Sequence, residues 1–178
     1  MLRKLRLLTA LLLGGATHLP AAHAADAPVF SFASIDGGTM SSADWRGKPV
    51  LVVNTASLCG FTPQYAALQE LSDRYQGRAV VLAIPSDDFN QELASDGEVR
   101  DFCALNYELT LPMTTITHVA KGDLHPFYAW LKAEHGFAPG WNFNKVLIGP
   151  QGEFVSAWGP TAKPLSDRIT GAIDKLLR

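Results

Sequence analysis

Cysteine is scarce in this chain of 178 residues, which has only Cys59 and Cys103. Neither belongs to a Cys-x-x-Cys pair, because the residues that follow Cys59 are Gly-Phe-Thr. This absence excludes an ordinary dithiol exchanger, whose chemistry needs two cysteines within one turn of the chain. Any thiol chemistry must therefore use one cysteine as a nucleophile, or both as a single distant pair.

Other common functional sites are also missing. His118, His125 and His135 lack the paired spacing of metal ligands, so each is better explained as a surface, capping or packing residue. The sequence has no glycine-rich phosphate loop and no Ser-His-Asp order. We therefore expect neither a metal ion nor a cofactor.

The sequence has no apolar stretch long enough to span a bilayer. Residues 7–13 are almost wholly apolar, follow three basic residues and precede the small-x-small site Ala22-His23-Ala24. This plan is typical of a secretory signal, and an uncleaved anchor or a disordered tail is the alternative. The sequence predicts a signal peptide at residues 1–24, cleaved near Ala24, and one mature domain at residues 25–178. No cysteine lies near the cleavage site, so we expect no membrane anchor and predict the periplasm as the location.

Charged residues make up only 18% of the chain and form no basic cluster. The formal net charge is −2, and loss of the three basic residues of the predicted signal peptide changes it to −5. A mildly acidic surface argues against nucleic acid and anionic membranes as partners. The length is sufficient for one domain with a proper core and too short for two.

Apolar residues follow strand spacing in some segments and helix spacing in others. Residues 50–54 form an apolar run typical of a buried strand, and residues 65–75 show the spacing of one helix face. The other predicted elements are a hairpin at 29–40, a strand at 78–84, helices at 98–107, 125–135 and 164–177, and strands at 145–148 and 153–157. This order predicts an α/β protein with a thioredoxin-like fold, in which helices flank a mixed central sheet.

Cys59 lies between the predicted strand at 50–54 and the next helix. Thr62 is a good N-cap and Pro63 suits the first helical position, so we expect the helix to begin at Thr62. The unpaired N–H groups and the dipole of a helix N-terminus favour a thiolate, and Gly60 would allow close approach of a substrate. Cys59 is therefore either a nucleophile or, alternatively, a small residue that fills the core.

Four segments resemble the glutathione peroxidase family in its cysteine form. The segment NTASLCGFTPQYAALQEL at residues 54–71 resembles the family's active-site signature, and WNFNK at 141–145 is similar to its Trp-Asn-Phe block. Weaker similarities are LAIPSDDF at 82–89 and HPFY at 125–128. Together the four segments extend the resemblance over essentially the whole mature chain.

The resemblance implies a thiol peroxidase that reduces hydrogen peroxide and organic hydroperoxides through a Cys59 sulfenic acid. The thiolate attacks one peroxide oxygen, and the other must gain a proton to leave as water or alcohol. By the family pattern, the indole N–H of Trp141 and the amide of Asn142 donate hydrogen bonds near the sulfur. From the residues alone, a core aromatic at Trp141 and a turn residue at Asn142 are the alternatives.

Asp88 departs from the family pattern, because it aligns with the family's active-site glutamine. An ionised carboxylate cannot donate a hydrogen bond and would repel a thiolate. Asp88 must therefore be protonated, point away, or orient a water or Asn142. Gln91 is a nearby alternative, but Gln91-Glu92 aligns better with a downstream Gln-Glu pair of the family, so Asp88 is kept as the predicted site residue.

Cys103 looks like the resolving cysteine of one family branch, which implies a Cys59–Cys103 disulfide after turnover. The alternative is a buried helix cysteine. The resemblance to that branch implies that a thioredoxin-like protein is the reductant, and glutathione is the alternative. The short connection from His135 to Trp141 leaves little room for the loop that assembles tetramers in some relatives, so we expect a monomer.

A second class of function is left open by the sequence. The chain could be a non-enzymatic protein of the same fold, with a permanent Cys59–Cys103 disulfide as a structural bridge. A peroxiredoxin-like enzyme is disfavoured, because the Pro-x-x-x-Thr-x-x-Cys motif does not precede Cys59.

Overall fold

The computed structural model describes residues 27–178. The predicted signal peptide and its cleavage site lie outside these residues. The strands are β1 (Ser31–Ala33), β2 (Thr39–Ser41), β3 (Val50–Thr55), β4 (Val80–Pro85), β5 (Lys145–Ile148) and β6 (Phe154–Trp158). The helices are a 3₁₀ helix (Ser42–Trp45), α1 (Gln64–Arg74), α2 (Asp96–Tyr107), α3 (Pro126–His135) and α4 (Asp167–Leu176). Every helix and strand that the sequence predicts is present.

The central sheet is mixed and has the strand order β4-β3-β5-β6. Strand β3 runs parallel to β4 and antiparallel to β5, and β6 runs antiparallel to β5. Strands β1 and β2 form a separate hairpin. All six residues of β3 are buried, as expected for a central strand covered on both faces. The predicted mixed sheet is confirmed.

The two faces of the sheet carry separate apolar cores. Along β3, Leu51 and Val53 belong to one core, whereas Val50 and Val52 belong to the other. Helices α1, α2 and α4 cover the first face, and α3 covers the second together with the hairpin. Cys59 and Cys103 both lie in the first core. The two thiols therefore share one side of the sheet.

The predicted start of α1 at Thr62 is wrong by two residues. The helix begins at Gln64, and Pro63 at the cap position makes no side-chain capping bond. The Thr62 hydroxyl instead donates to the Ala56 carbonyl at 2.8 Å and accepts from the Cys59 amide at 3.0 Å. Because these bonds use the hydroxyl within the preceding turn, Thr62 stabilises the Cys59 turn and does not cap the helix.

None of the helices within residues 27–178 combines the length and the apolar character needed to cross a bilayer.

Candidate active site

Cys59 lies in a tight turn between the carboxyl end of β3 and α1. Its side chain is buried, with 8% of the residue exposed, while the neighbouring Leu58 is 60% exposed. The backbone N–H of Phe61 donates to the Cys59 Sγ at 3.4 Å. A donor aimed at the sulfur stabilises negative charge there, which is what a peroxide-attacking thiolate needs.

Asn54 joins the end of β3 to the Trp141–Asn144 segment. Its Nδ2 donates to the Trp141 carbonyl at 2.9 Å, and its Oδ1 accepts from the Asn144 amide at 3.1 Å. Its own carbonyl accepts from the Phe143 amide at 2.6 Å. Phe143 has a φ of 62°, a left-handed conformation that these bonds help to hold. Asn54 is a positioning residue that the sequence analysis missed, although a buried asparagine at the end of an apolar strand was a usable signal.

Trp141 and Asn142 have different environments. Trp141 is 41% exposed, and its ring lies against Phe89 with the centroids 5.5 Å apart. Asn142 is fully buried, and its Nδ2 donates to the Gln91 Oε1 at 3.0 Å. The carbonyl of Gln91 accepts from the Leu58 amide at 2.9 Å. The structure thus links Asn142 through Gln91 to the turn that carries Cys59.

Asp88 has a different set of partners. Its carboxylate accepts from His118 Nδ1 and from the amides of Val119 and Ala120, each at 2.7 Å, and from the Lys121 amide at 3.1 Å. Burial alone would raise the pKa of Asp88, but these hydrogen bonds outweigh it and lower the pKa below its usual value. Asp88 is therefore ionised and anchors the 118–121 loop.

The hydrogen bonds of the Asp88 carboxylate all go to residues 118–121. Of the three possibilities drawn from the sequence, the structure matches a carboxylate directed elsewhere, and Gln91 bonds the Asn142 amide instead. By resemblance, Gln91 aligns with the downstream Gln-Glu pair of the family, but the structure places its side chain against Asn142.

Cys103 lies on α2, is buried, and has a free thiol, as does Cys59. Burial raises the pKa of Cys103 to about 11; an interaction with Tyr65 opposes this shift, and the charge of Glu92 adds to it. Cys103 is therefore protonated at neutral pH in this conformation. Chemistry at its sulfur requires a proton acceptor or a change in its surroundings.

Lys145 connects three segments beneath the site. It is fully buried, and its Nζ donates to Gln64 Oε1 at 2.5 Å and to the carbonyls of Phe143 and Pro160 at 2.8 and 3.4 Å. Burial lowers its pKa to about 8. This buried ammonium ties the start of α1 to the segment after Trp141.

Within residues 27–178, no three His, Cys, Asp or Glu side chains converge as metal ligands.

The sequence model of the glutathione peroxidase family matches residues 29–132. This chain belongs to the glutathione peroxidase family. A hydroperoxy fatty acid reductase of Synechocystis sp. is 39% identical over 163 residues, which cover 83% of this chain and 94% of that protein. A glutathione peroxidase of Lactococcus lactis subsp. cremoris is 38% identical over 154 residues, covering 83% and 97%. The chain is therefore a thiol peroxidase, as its sequence predicts.

Solved structures confirm the thioredoxin-like fold. The crystal structure of Trgpx in its apo form matches with a TM-score of 0.62 and 31% identity, covering 84% of this chain and 96% of that one. A thiol:disulfide interchange protein of the thioredoxin family from Chlorobium tepidum matches with a TM-score of 0.63 at 20% identity, covering 89% and 99%. The second likeness concerns the fold alone.

Replacing Asp88 and Gln91 separates an anchoring role from a role at the thiol. Asp88→Asn should lower the free energy of unfolding at pH 7 by about 2 kcal/mol, because hydrogen bonds to a charged carboxylate are lost. Since the folded-state pKa of Asp88 is lowered, this difference should be full above the unfolded-state value and vanish as pH falls through the folded one. Urea unfolding from pH 7 to pH 3 measures it.

The same two residues should have opposite effects on the rate of Cys59 oxidation. The second-order rate of Cys59 oxidation by hydrogen peroxide, measured by stopped flow, should fall roughly 10- to 100-fold in Gln91→Leu. In Asp88→Asn it should stay within about threefold of wild type. A large rate loss in Asp88→Asn with unchanged stability would return Asp88 to the reaction.

Lys145→Met tests whether the buried ammonium is charged. Because burial lowers the folded-state pKa from 10.5 to about 8, the unfolded chain binds this proton more tightly. The stability of wild type relative to Lys145→Met should therefore rise by up to ~3 kcal/mol as pH increases from about 8 to about 10.5. Urea unfolding measures the difference, with the exposed Lys132→Met as control. A difference that does not vary with pH would contradict the lowered pKa.

Proposed function

We propose that Cys59 is the nucleophile that reduces hydrogen peroxide and organic hydroperoxides, and that Cys103 resolves the resulting sulfenic acid. The observation that carries this proposal is the Phe61 N–H aimed at the Cys59 Sγ, in a turn joined through Gln91 to Asn142. A buried cysteine that only filled the core would need no such donors.

The geometry supports a simple reaction at Cys59. Its sulfur attacks the nearer peroxide oxygen, the O–O bond breaks, and the leaving oxygen takes a proton to become water or an alcohol. By the family pattern, the partly exposed Trp141 would donate its indole N–H to this oxygen, and the amide of Gln91 has two N–H donors beside Asn142. Donors already in place need no reorganisation as charge develops on the leaving oxygen.

The second half of the cycle uses Cys103. Its thiol attacks the Cys59 sulfenic acid, an S–S bond forms and water leaves. Since Cys103 lies on a buried face of α2, formation of the disulfide requires a local rearrangement of that helix. Some relatives are named for related activities, among them a glutathione peroxidase-like peroxiredoxin of Schizosaccharomyces pombe, which is 39% identical over 135 residues.

We further propose a thioredoxin-like protein as the reductant of this disulfide, with glutathione as the alternative. Glutathione is an anion, and its binding would benefit from exposed basic side chains near the thiol. Lys145, the basic residue nearest to Trp141 in sequence, is fully buried and cannot contact a surface anion. The exposed Lys121 does lie 5.8 Å from the Phe89 ring, so the support for a protein reductant is the resolving-cysteine pattern rather than the charge near Trp141.

Mass spectrometry of the reduced protein after one equivalent of an organic hydroperoxide tests both cysteine roles. Wild type should lose two hydrogens and yield a linked Cys59–Cys103 peptide, because the disulfide forms within one chain. Cys103→Ser should gain one oxygen at Cys59, since the sulfenic acid has no partner. Cys59→Ser should not react, and its peroxide turnover should fall roughly 10³-fold or more.

Two outcomes would contradict the proposed roles of the cysteines. Oxygen addition at Cys59 without a disulfide in wild type would remove Cys103 from the mechanism and favour glutathione as reductant. Full turnover by Cys59→Ser would overturn the proposed role of Cys59 as the nucleophile.

We also propose that residues 1–24 direct export to the periplasm and that the mature protein is a monomer. The support is the basic head, short apolar stretch and cleavage site of the sequence. Expression of the full chain in a Gram-negative bacterium should yield periplasmic protein that begins at Ala25 and has a monomeric mass by light scattering. Cytoplasmic protein with an intact N-terminus would contradict export.

A further inference from the structure

Glu92 is a buried carboxylate that the peroxide step does not use. Only 8% of the residue is exposed. Its Oε1 accepts from the amides of Ser57 and Leu93 at 3.0 and 2.9 Å, whereas its Oε2 is buried without a hydrogen-bond partner. Burial raises the pKa of Glu92, with hydrogen bonds from Ser57 and Leu93 opposing the shift. A carboxylate whose pKa is raised is a stronger proton acceptor than an ordinary exposed one.

Two other buried groups interact with this carboxylate. Tyr65, in the first turn of α1, is fully buried, and its hydroxyl faces Thr55 and Cys103 without a hydrogen bond of ordinary geometry. After burial itself, the charge of Glu92 is among the causes that raise the pKa of both Tyr65 and Cys103. Glu92, Tyr65 and Cys103 therefore form one interacting cluster.

Glu92 connects this cluster to the turn that carries Cys59. Glu92 bonds the Ser57 amide, two residues before Cys59, while Cys103 is on α2, which packs against α1. Asp87 also faces Glu92, because its Oδ1 accepts from the Glu92 amide at 3.1 Å. The carboxylate is thus held at the Cys59 turn, and its charge acts on Cys103 on the neighbouring helix.

Other charged groups near Cys103 are on its solvent side. Asp36, Arg100 and Asp101 line a surface depression next to Cys103, and all three are exposed. Arg100 and Asp101 pair with each other at 3.3 Å. Glu92, by contrast, is buried, and its charge raises the pKa of Cys103.

The resolving reaction needs a proton acceptor at this place. With a pKa of about 11, only roughly one Cys103 in 10⁴ is a thiolate at pH 7. The attack on a sulfenic acid depends on the thiolate. A base that takes the thiol proton as the sulfur approaches would remove this limit.

We propose that Glu92 is the proton acceptor for the resolving step, an inference that rests on the proposed roles of Cys59 and Cys103. The proton passes from the Cys103 Sγ to the Glu92 carboxylate, and the Cys103 sulfur attacks the Cys59 sulfur. The S–S bond forms as the S–O bond of the sulfenic acid breaks. The leaving hydroxide takes the proton back from Glu92 and departs as water, so the Cys103 sulfur is oxidised and the Cys59 sulfur is reduced.

Single-turnover experiments on Glu92→Gln test this proposal. The reduced protein is mixed with an organic hydroperoxide, quenched with an alkylating agent at successive times, and analysed by mass for sulfenic acid and disulfide. Formation of the sulfenic acid should stay within about threefold of wild type, because glutamine can still accept from Ser57 and Leu93. Formation of the disulfide should slow roughly 10²-fold at pH 7.

The pH profile distinguishes a proton acceptor from a structural residue. In wild type the rate of disulfide formation should become independent of pH once Glu92 is ionised. In Glu92→Gln it should rise about tenfold per pH unit over the neutral range, since hydroxide must then remove the proton. Glu70→Gln, the same change on the exposed face of α1, is the matched control and should behave as wild type.

The outcomes separate this inference from the proposed function. If wild type forms no Cys59–Cys103 disulfide, the resolving role of Cys103 fails, and the role of Glu92 fails with it. If Glu92→Gln forms the disulfide at the wild-type rate and with the wild-type pH profile, only the inference about Glu92 is overturned. Equal slowing of sulfenic acid and disulfide formation would also overturn it, because Glu92 would then serve only to hold the Cys59 turn.

Discussion

The active site depends on the hydrogen bonds of Asn54 at the carboxyl end of β3. One side chain and one carbonyl hold the Trp141–Asn144 segment, and the same strand leads five residues later to Cys59. Cys59 and the Trp141–Asn144 segment are therefore positioned from a single point on β3, a strand whose residues are all buried. A rigid central strand holds the two segments in register.

The buried polar groups around this point divide into two kinds. Asp88 is satisfied by four hydrogen bonds and stabilises a loop. By contrast, within residues 27–178 five buried side-chain oxygens have no hydrogen-bond partner: Thr55 Oγ1, Ser57 Oγ, Tyr65 OH, Glu92 Oε2 and Asn142 Oδ1. Unpartnered buried groups cost stability, and proteins keep them mainly where function uses them. Their concentration beside the Cys59 turn matches a site where protons and charge move.

In the proposed catalytic cycle, the two cysteines have opposite requirements. Cys59 must be reactive in the resting fold, and the Phe61 amide aimed at its sulfur serves this need. Cys103 must be inert until a sulfenic acid exists, and burial on α2 keeps it protonated. A fold that stored both thiols in the same reactive state would risk oxidation of the second cysteine before the first. The separation of the thiols on two elements of one core keeps the steps in order.

The sequence by itself determined the elements and their order and indicated Cys59 as the candidate nucleophile, because apolar spacing and the strand-turn-helix context of Cys59 are local properties. Only the tertiary structure decided which side chains meet. The Thr62 hydroxyl bonds within the Cys59 turn and does not cap α1, so the helix begins two residues later than its sequence indicates. Likewise, Asp88 bonds residues about thirty positions away, while Gln91 bonds Asn142. Such pairings depend on how distant segments pack, and no local pattern specifies that packing.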